Sequence, residues 1–357
     1  MIYFTSDYCE SCHPKLLQAI VDLGDHQYPG YGKDEISAET RTMLKEQLDA
    51  PEAAVHFMVS GTQSNFILMA AALRPHEGVL CVETGHPNVH ETGAVEATGH
   101  KLLILPLKEG PQDGKVDPEL VDIFCKDHFN SASPEHQVKP KMIYISNTTE
   151  LGTVYHKAEL EALRKVADKW NLYLFMDGAR LGSAMKAESQ DLTMQDLPKL
   201  CDAFTIGGTK CGLAFGEAMV IMNPAIQQDF RYIQKQKGAM LAKGWLIATQ
   251  FRAAFQDGLF WELADHENKM SMKIAAAFAK AESAGVSFAY QPISNQLFIW
   301  IPNDLDDLLK KSFVYEYSDS QFEPNRKFTR WVTSFWTKEE NVHALVEAID
   351  SYLAARA

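Results

Sequence analysis

The sequence predicts an α/β fold, with a mostly parallel sheet in a large domain over residues 1–243, N-terminal segment included, and a smaller α+β domain over 244–357. Three observations predict it. Short apolar runs rich in β-branched and aromatic residues recur at 54–60, 79–83, 101–107, 141–146, 172–177, 203–208 and 217–222, and each reads as a buried strand. Helical patterns at 37–48, 64–73, 117–126 and 158–170 fall between them, the alternation of a sheet covered by helices on both faces. Beyond about Lys243 the texture changes to helical stretches at 244–264 and 267–284, strands at 286–291, 296–301 and 329–335, and a last helix at 338–354. The Pro- and Ser-containing stretch 130–140 is expected as a surface loop.

With 357 residues and 46% hydrophobic content, the chain can bury one large core plus a smaller one. A formal net charge of −13 argues against nucleic acid or an anionic membrane surface as the main partner. No apolar segment approaches the roughly 20 residues that span a bilayer, and no basic start leads into an apolar run. A cytoplasmic enzyme acting on a small molecule is the expectation. Cys9, Cys12, Cys81, Cys125, Cys201 and Cys211 then read as reduced thiols.

Two motifs suggest metal chemistry and are set aside. Cys9-Glu10-Ser11-Cys12-His13 fits the pattern of covalent haem attachment, but a haem protein would not be embedded in so many βα units, and as a zinc site the motif lacks a second ligand pair. His86 and His90 are four apart, yet Pro87 puts His86 at or before a helix start, where the rings would not align. His90 reads as a satisfied helix residue, and no metal is expected.

The chemistry lies elsewhere. The run 173–180 is a strand that ends in Asp177, followed by Gly178, Ala179 and Arg180. Ligands of open α/β sheets bind beyond the carboxyl ends of the strands, where a carboxylate can keep a pyridine nitrogen protonated. Asp177 reads equally well as the N-cap of the next helix. One strand later, Lys210 follows an apolar run among small residues that would let a flat cofactor approach. A lysine there can have its pKa lowered by burial and form an imine with an aldehyde. Ser60-Gly61-Thr62-Gln63 leads from a strand into a helix, whose free N–H groups and dipole suit a phosphate. An imine lysine, a pyridinium carboxylate and a phosphate cradle are together the requirements of pyridoxal 5'-phosphate.

These residues resemble those of the threonine aldolase group, in the family of threonine aldolases and aromatic amino-acid β-eliminating lyases. The similarity runs nearly end to end: Phe4-Thr5-Ser6-Asp7, Tyr31-Gly32, Ser60 to Gln63, Gly85-His86, Asp177 to Arg180, Gly208-Thr209-Lys210 and Thr329 to Thr333. The resemblance implies an aminotransferase-like fold (fold type I). It implies Lys210 as the lysine carrying the cofactor as a Schiff base and Asp177 as the partner of the ring nitrogen. Gly61, Thr62, Gln63 and Thr209 would lie at the phosphate, and His86 would stack on the ring. Ser6, Arg180 and Arg330 would grip the substrate carboxylate. His136 matches a second family histidine near the substrate hydroxyl. Tyr31 and Lys235 would reach a neighbouring subunit's site in a homo-oligomer, a dimer of dimers.

The activity so implied is retro-aldol cleavage of L-threonine and L-allo-threonine to glycine and an aldehyde, with His86, His136 or a water they hold as base. β-Elimination, racemisation or transamination on the same cofactor is the alternative, and a non-catalytic cofactor-binding protein a more distant one. The chain departs from the commoner branch in having Thr209 before the lysine, Cys211 to Gly216 after it, and Gly238 to Lys243 in place of a Gly-rich Met-Arg-Gln stretch.

Overall fold

The computed structural model describes residues 1–107, 113–319 and 323–356. Its central sheet has seven strands: β1 Ala54–Met58, β2 Glu77–Val82, β3 Lys101–Leu105, β4 Lys139–Ser146, β5 Tyr173–Asp177, β6 Ala203–Gly207 and β7 Glu217–Ile221. Their spatial order is β1-β7-β6-β5-β4-β2-β3. Strand β7 runs antiparallel to both of its neighbours, and the remaining pairs are parallel.

Side chains alternate between two cores. Ile143, Ile145, Leu174 and Met176 enter one, while Met142, Tyr144 and Phe175 enter the other. Because helices cover both faces, β2, β6 and β7 are buried at every position, and their sequences show apolar runs in place of a polar face. Parallel direction brings the ends of β1, β2, β4, β5 and β6, at Met58, Val82, Ser146, Asp177 and Gly207, to one edge of the sheet.

A second, antiparallel sheet comprises β8 Ser287–Phe288, β9 Gln296–Pro302, β10 Glu316–Asp319 and β11 Arg326–Val332, in the order β10-β11-β9-β8. Helices Leu259–Ala279 and Glu339–Ala354 close a core over it with Ile274, Phe278, Leu345, Ile349 and the fully buried Trp331.

The packing does not divide at residue 243. Ile2–Tyr3 pairs in parallel with Phe313–Val314, and Phe4 lies 5.9 Å from the Trp331 ring in the second core. The N-terminal segment therefore packs with the C-terminal residues. Helix Trp245–Gln256 gives Ile247, Ala248 and Phe251 to the large core, and Leu259–Ala279 passes from that core to the smaller one. The two helices also break earlier than their patterns predict, at Gly258, whose φ of +75° is accessible to glycine. Strands 313–314 and 316–319 were not expected, being two to four residues long and, in β10, polar. No helix among the described residues is long and apolar enough to cross a membrane.

Candidate active site

At the carboxyl edge of the central sheet lies a cavity of about 670 Å³, with Tyr8, His86, His90, Lys210, Phe298 and Arg330 among the residues on its walls. Asp177 is the last residue of β5 and is buried. Its Oδ2 accepts from Tyr144 Oη and Asn65 Nδ2, both at 2.8 Å. Its Oδ1 accepts from the Ala179 backbone N–H at 2.9 Å. The N-cap reading is corrected: the next helix, Leu181–Met185, has Arg180 at its N-cap position, and Asp177 instead closes the turn after β5 with one oxygen while the other joins a buried network.

That network leads to the cavity. Asn65 Nδ2 also donates to Glu91 Oε1 at 2.7 Å, and the same oxygen meets His86 Nδ1 at 2.7 Å. Burial disfavours a charge on His86, but the bond to Glu91 and the nearby Asp177 carboxylate together raise its pKa. The His86 backbone N–H donates to Glu150 Oε1 at 2.9 Å, and burial raises the pKa of that carboxyl group.

Lys210 sits in the turn between β6 and β7, its Nζ 5.9 Å from the centre of the Tyr8 ring. Burial and the Arg180 guanidinium lower its pKa, which makes the neutral, nucleophilic amine more accessible. The glycines before it serve packing. A Cβ on Gly178 would fall 2.0 Å from Thr205 O, on Gly207 2.4 Å from Ala179 O, and on Gly208 2.5 Å from Gly216 O. The small residues let two turns touch, rather than opening the backbone to a ligand as the sequence suggested.

The hydroxyl of Thr209 is occupied. Its Oγ1 donates to Glu217 Oε1 at 2.9 Å and accepts from the Gly216 N–H at 3.0 Å, so its one proton is not free for a phosphate. Burial holds the Glu217 carboxyl at about 8. The phosphate turn is better provided. Helix Gly61–Ala72 starts after the N-cap Ser60, and a Cβ on Gly61 would meet nothing within 4 Å.

The expected carboxylate grip is differently arranged. Arg180 directs Nε and Nη2 at Asp7, at 2.5 and 3.0 Å. Although burial pushes the Asp7 carboxyl up, Arg180 and Lys210 hold it at about 2. Arg330 donates from Nε and Nη2 to Gln296 Oε1 at 3.2 and 2.9 Å, and from Nη1 to Glu316 Oε2 at 2.6 Å. Both arginines line the cavity. Ser6 is buried beside Asp7, with its Oγ 3.2 Å from Cys9 Sγ, and is not among the lining residues.

Three expected residues lie elsewhere. His136 is exposed in the turn Pro134–His136, just before the amino end of β4. The strand runs eight residues before it reaches the site edge at Ser146, so His136 is at the opposite end of the sheet. Tyr31 is 44% exposed with φ +62°. Lys235 Nζ stacks 4.5 Å from its ring, and Arg231 donates to its carbonyl at 3.1 Å. Neither Tyr31 nor Lys235 lines the Lys210 cavity. The His86 and His90 rings, in contrast, lie 5.4 Å apart on the same cavity wall, despite Pro87.

Sequence reasoning missed Asn65, Glu91, Tyr144, Glu150, Glu217 and the role of Asp7. Each works through a tertiary hydrogen bond that leaves no periodic signal.

The residues fit pyridoxal phosphate. They offer a partly buried lysine of lowered pKa, a buried carboxylate fixed by three donors, and an open helix start. Gln63 Oε1, beside that start, and Thr84 Oγ1, on the cavity wall, are buried without a partner among the described residues.

A model of the β-eliminating lyase family matches residues 14–296. The chain is 29% identical to the low specificity L-threonine aldolase of Pseudomonas aeruginosa over 310 residues, 86% of each chain. It is 26% identical to the enzyme of the same name from Pseudomonas sp. strain NCIMB 10558 over 359 residues, 99% of this chain and 98% of that one. The structure of Leishmania major threonine aldolase superposes with a TM-score of 0.92 at 40% sequence identity, covering 99% of this chain and 100% of that chain. Aspartate aminotransferase from Thermus thermophilus, 16% identical with a TM-score of 0.69 and covering 98% of this chain and 91% of that one, shares the fold alone. The chain has the aminotransferase-like, fold type I architecture.

Proposed function

The chain belongs to the β-eliminating lyase family, and from that membership we propose that it is a pyridoxal-phosphate-dependent aldehyde-lyase cleaving L-threonine and L-allo-threonine to glycine and acetaldehyde. The observation that supports this best is one cavity bearing Lys210, His86 and Arg330, with Asp177 at the sheet edge behind it, in a chain 40% identical across its length to a threonine aldolase.

Bound pyridoxal phosphate supplies an electron sink for the pair released when the substrate's Cα–Cβ bond breaks. Lys210 holds the cofactor's aldehyde covalently. Asp177, fixed by Tyr144 and Asn65, keeps the ring nitrogen protonated. Gly61, Thr62 and Gln63 receive the phosphate at the helix start. Thr209 shapes the turn between β6 and β7, which carries Lys210, through Glu217 and Gly216 in place of binding the phosphate directly. His86, oriented by Glu91, covers the ring face. Arg330, steadied by Gln296, binds the substrate carboxylate, and Arg180 adds its remaining nitrogen, Nη1. Ser6 supports this side from behind Asp7.

Tyr31 and Lys235, stacked away from their own chain's cavity, serve a neighbouring subunit in a homo-oligomer. The protein works on a small amino acid in the cytoplasm.

The test is incubation of the cofactor-loaded protein with L-threonine. Glycine and acetaldehyde in equal amounts support the reading. Release of 2-oxobutanoate and ammonia, or D-allo-threonine alone, would replace it with β-elimination or racemisation at Cα.

A further inference from the structure

We propose that His90 is the general base that accepts the β-hydroxyl proton of the amino acid as its Cα–Cβ bond breaks. The proposal rests on the aldehyde-lyase reading and deepens it by assigning the proton transfer to one residue.

Cleavage of a β-hydroxy amino acid needs a proton acceptor on the cavity wall. Most of the polar groups there are already engaged. His86 has Nδ1 on Glu91. Glu150 Oε1 takes the Ser146 hydroxyl at 2.6 Å and the His86 N–H at 2.9 Å. Glu316 is paired with Arg330 at 2.6 Å, and Arg180 with Asp7. His136, the second histidine expected from the sequence, is at the other end of the sheet.

His90 differs from all of these. It caps the short helix His86–Val89 through its backbone N–H, which donates to His86 O at 2.8 Å. Its ring lines the cavity and makes no side-chain hydrogen bond to another described residue. The sequence reading of a satisfied helix residue is therefore incorrect for the imidazole.

The groups facing it come from four elements: His86 on its own helix, Lys210 after β6, Glu316 on β10 and Arg330 on β11. Burial, His86, Arg330 and Lys210 lower the His90 pKa, and Glu316 opposes them. The neutral imidazole, with a lone pair to offer, is then the main form at pH 7. The two neighbouring histidines, their rings tilted at 52°, are thereby divided, His86 toward the charged form and His90 toward the neutral one.

The proton balance closes without a co-reactant. The hydroxyl proton passes to a ring nitrogen of His90, and the O–H electron pair becomes the second bond of the aldehyde C=O. The Cα–Cβ pair stays with the fragment that becomes glycine, and one proton returned to Cα completes it.

The experiment compares cofactor-loaded wild type with His90→Asn and His90→Phe. Two rates are measured: acetaldehyde release from L-threonine and exchange of the Cα proton of glycine, a substrate with no hydroxyl to deprotonate. The ratio of cleavage to exchange is expected to fall by about 10²–10⁴-fold, the range for loss of a general base. Imidazole added to His90→Gly should restore part of the cleavage. An unchanged ratio overturns the proposal, whether both rates fall together or neither does.

Histidine titration by NMR on the cofactor-free wild type gives a readout independent of activity and of variant folding. His90 should titrate below 6.5 and His86 above it, and the reverse order overturns the proposal. If wild type exchanges glycine protons but releases no aldehyde from any β-hydroxy amino acid, the aldehyde-lyase reading itself fails. That outcome is distinct from a His90-specific failure.

Discussion

Replacing Asp7 with Asn should destabilise the protein in a way that the geometry specifies. Asp7 is 0% exposed and accepts from Arg180 Nε at 2.5 Å, Arg180 Nη2 at 3.0 Å and Asn295 Nδ2 at 2.8 Å. Asp7→Asn preserves the shape but leaves the Arg180 guanidinium, 11% exposed in its side chain, without its counter-ion. Removing one partner of a buried pair costs about 3–5 kcal/mol. The pKa gives a second figure: depression of the carboxyl from 3.8 to about 2 corresponds to about 2 kcal/mol. The first figure is the better guide to Asp7→Asn, because the second compares only the charged and neutral forms of an acid still in place. We expect a loss of about 3–5 kcal/mol at pH 7.

Since the folded-state pKa lies below the unfolded one, the ionisation part of the stabilisation is complete above about pH 4 and disappears as pH falls through about 2. Urea unfolding of wild type and Asp7→Asn, followed by circular dichroism at pH 7 and pH 3, measures both effects. The gap should narrow at pH 3, and Asp7→Asn/Arg180→Met should recover part of the loss by removing the orphaned charge. Equal urea midpoints at pH 7, or a gap that widens in acid, would refute the reasoning.

Glu91→Gln should lower the His86 pKa, because it removes the carboxylate that raises it; an NMR titration in which His86 does not move contradicts the Glu91–His86 coupling. Thr209→Val should cost about 1–3 kcal/mol in urea unfolding, by leaving Glu217 and the Gly216 N–H unsatisfied. A variant of wild-type stability with greatly weakened cofactor binding would return Thr209 to the phosphate. His136→Ala, a change at an exposed turn, should leave kcat/KM within about twofold and stability within about 0.5 kcal/mol. A loss of about 10²-fold or more in kcat would instead bring His136 back as a base.

The fold was legible where the sequence carries its own periodicity. The uninterrupted apolar runs that became β2, β6 and β7 follow from burial on both sheet faces. Lys210 and Asp177 could be found because each ends or follows such a run. What escaped has no local signature. The pairing of Ile2–Tyr3 with Phe313–Val314 joins segments about 310 residues apart, and β10 reads Glu-Tyr-Ser-Asp. Asn65 is one more polar residue in a helix until it is seen bridging Asp177 and Glu91. Thr209 and the glycines beside it were assigned to a ligand, whereas neighbouring backbone fills the space around the glycines and the Glu217 carboxyl and Gly216 N–H take the Thr209 hydroxyl. For the histidines the sequence showed the residue types but not the end of the sheet. His136 lies in a loop preceding a strand and His90 in a turn following one, so the two are on opposite edges of the sheet and only His90 lines the cavity.

The assignment of Lys210 to the cofactor is tested most directly by reducing the loaded protein with borohydride and locating the modified lysine by peptide mass spectrometry. The pyridoxyl group is expected on the peptide containing Lys210, with both the label and the visible absorbance lost in Lys210→Ala. A label on another lysine, Lys235 included, or a Lys210→Ala protein that still absorbs and cleaves L-threonine, would contradict it.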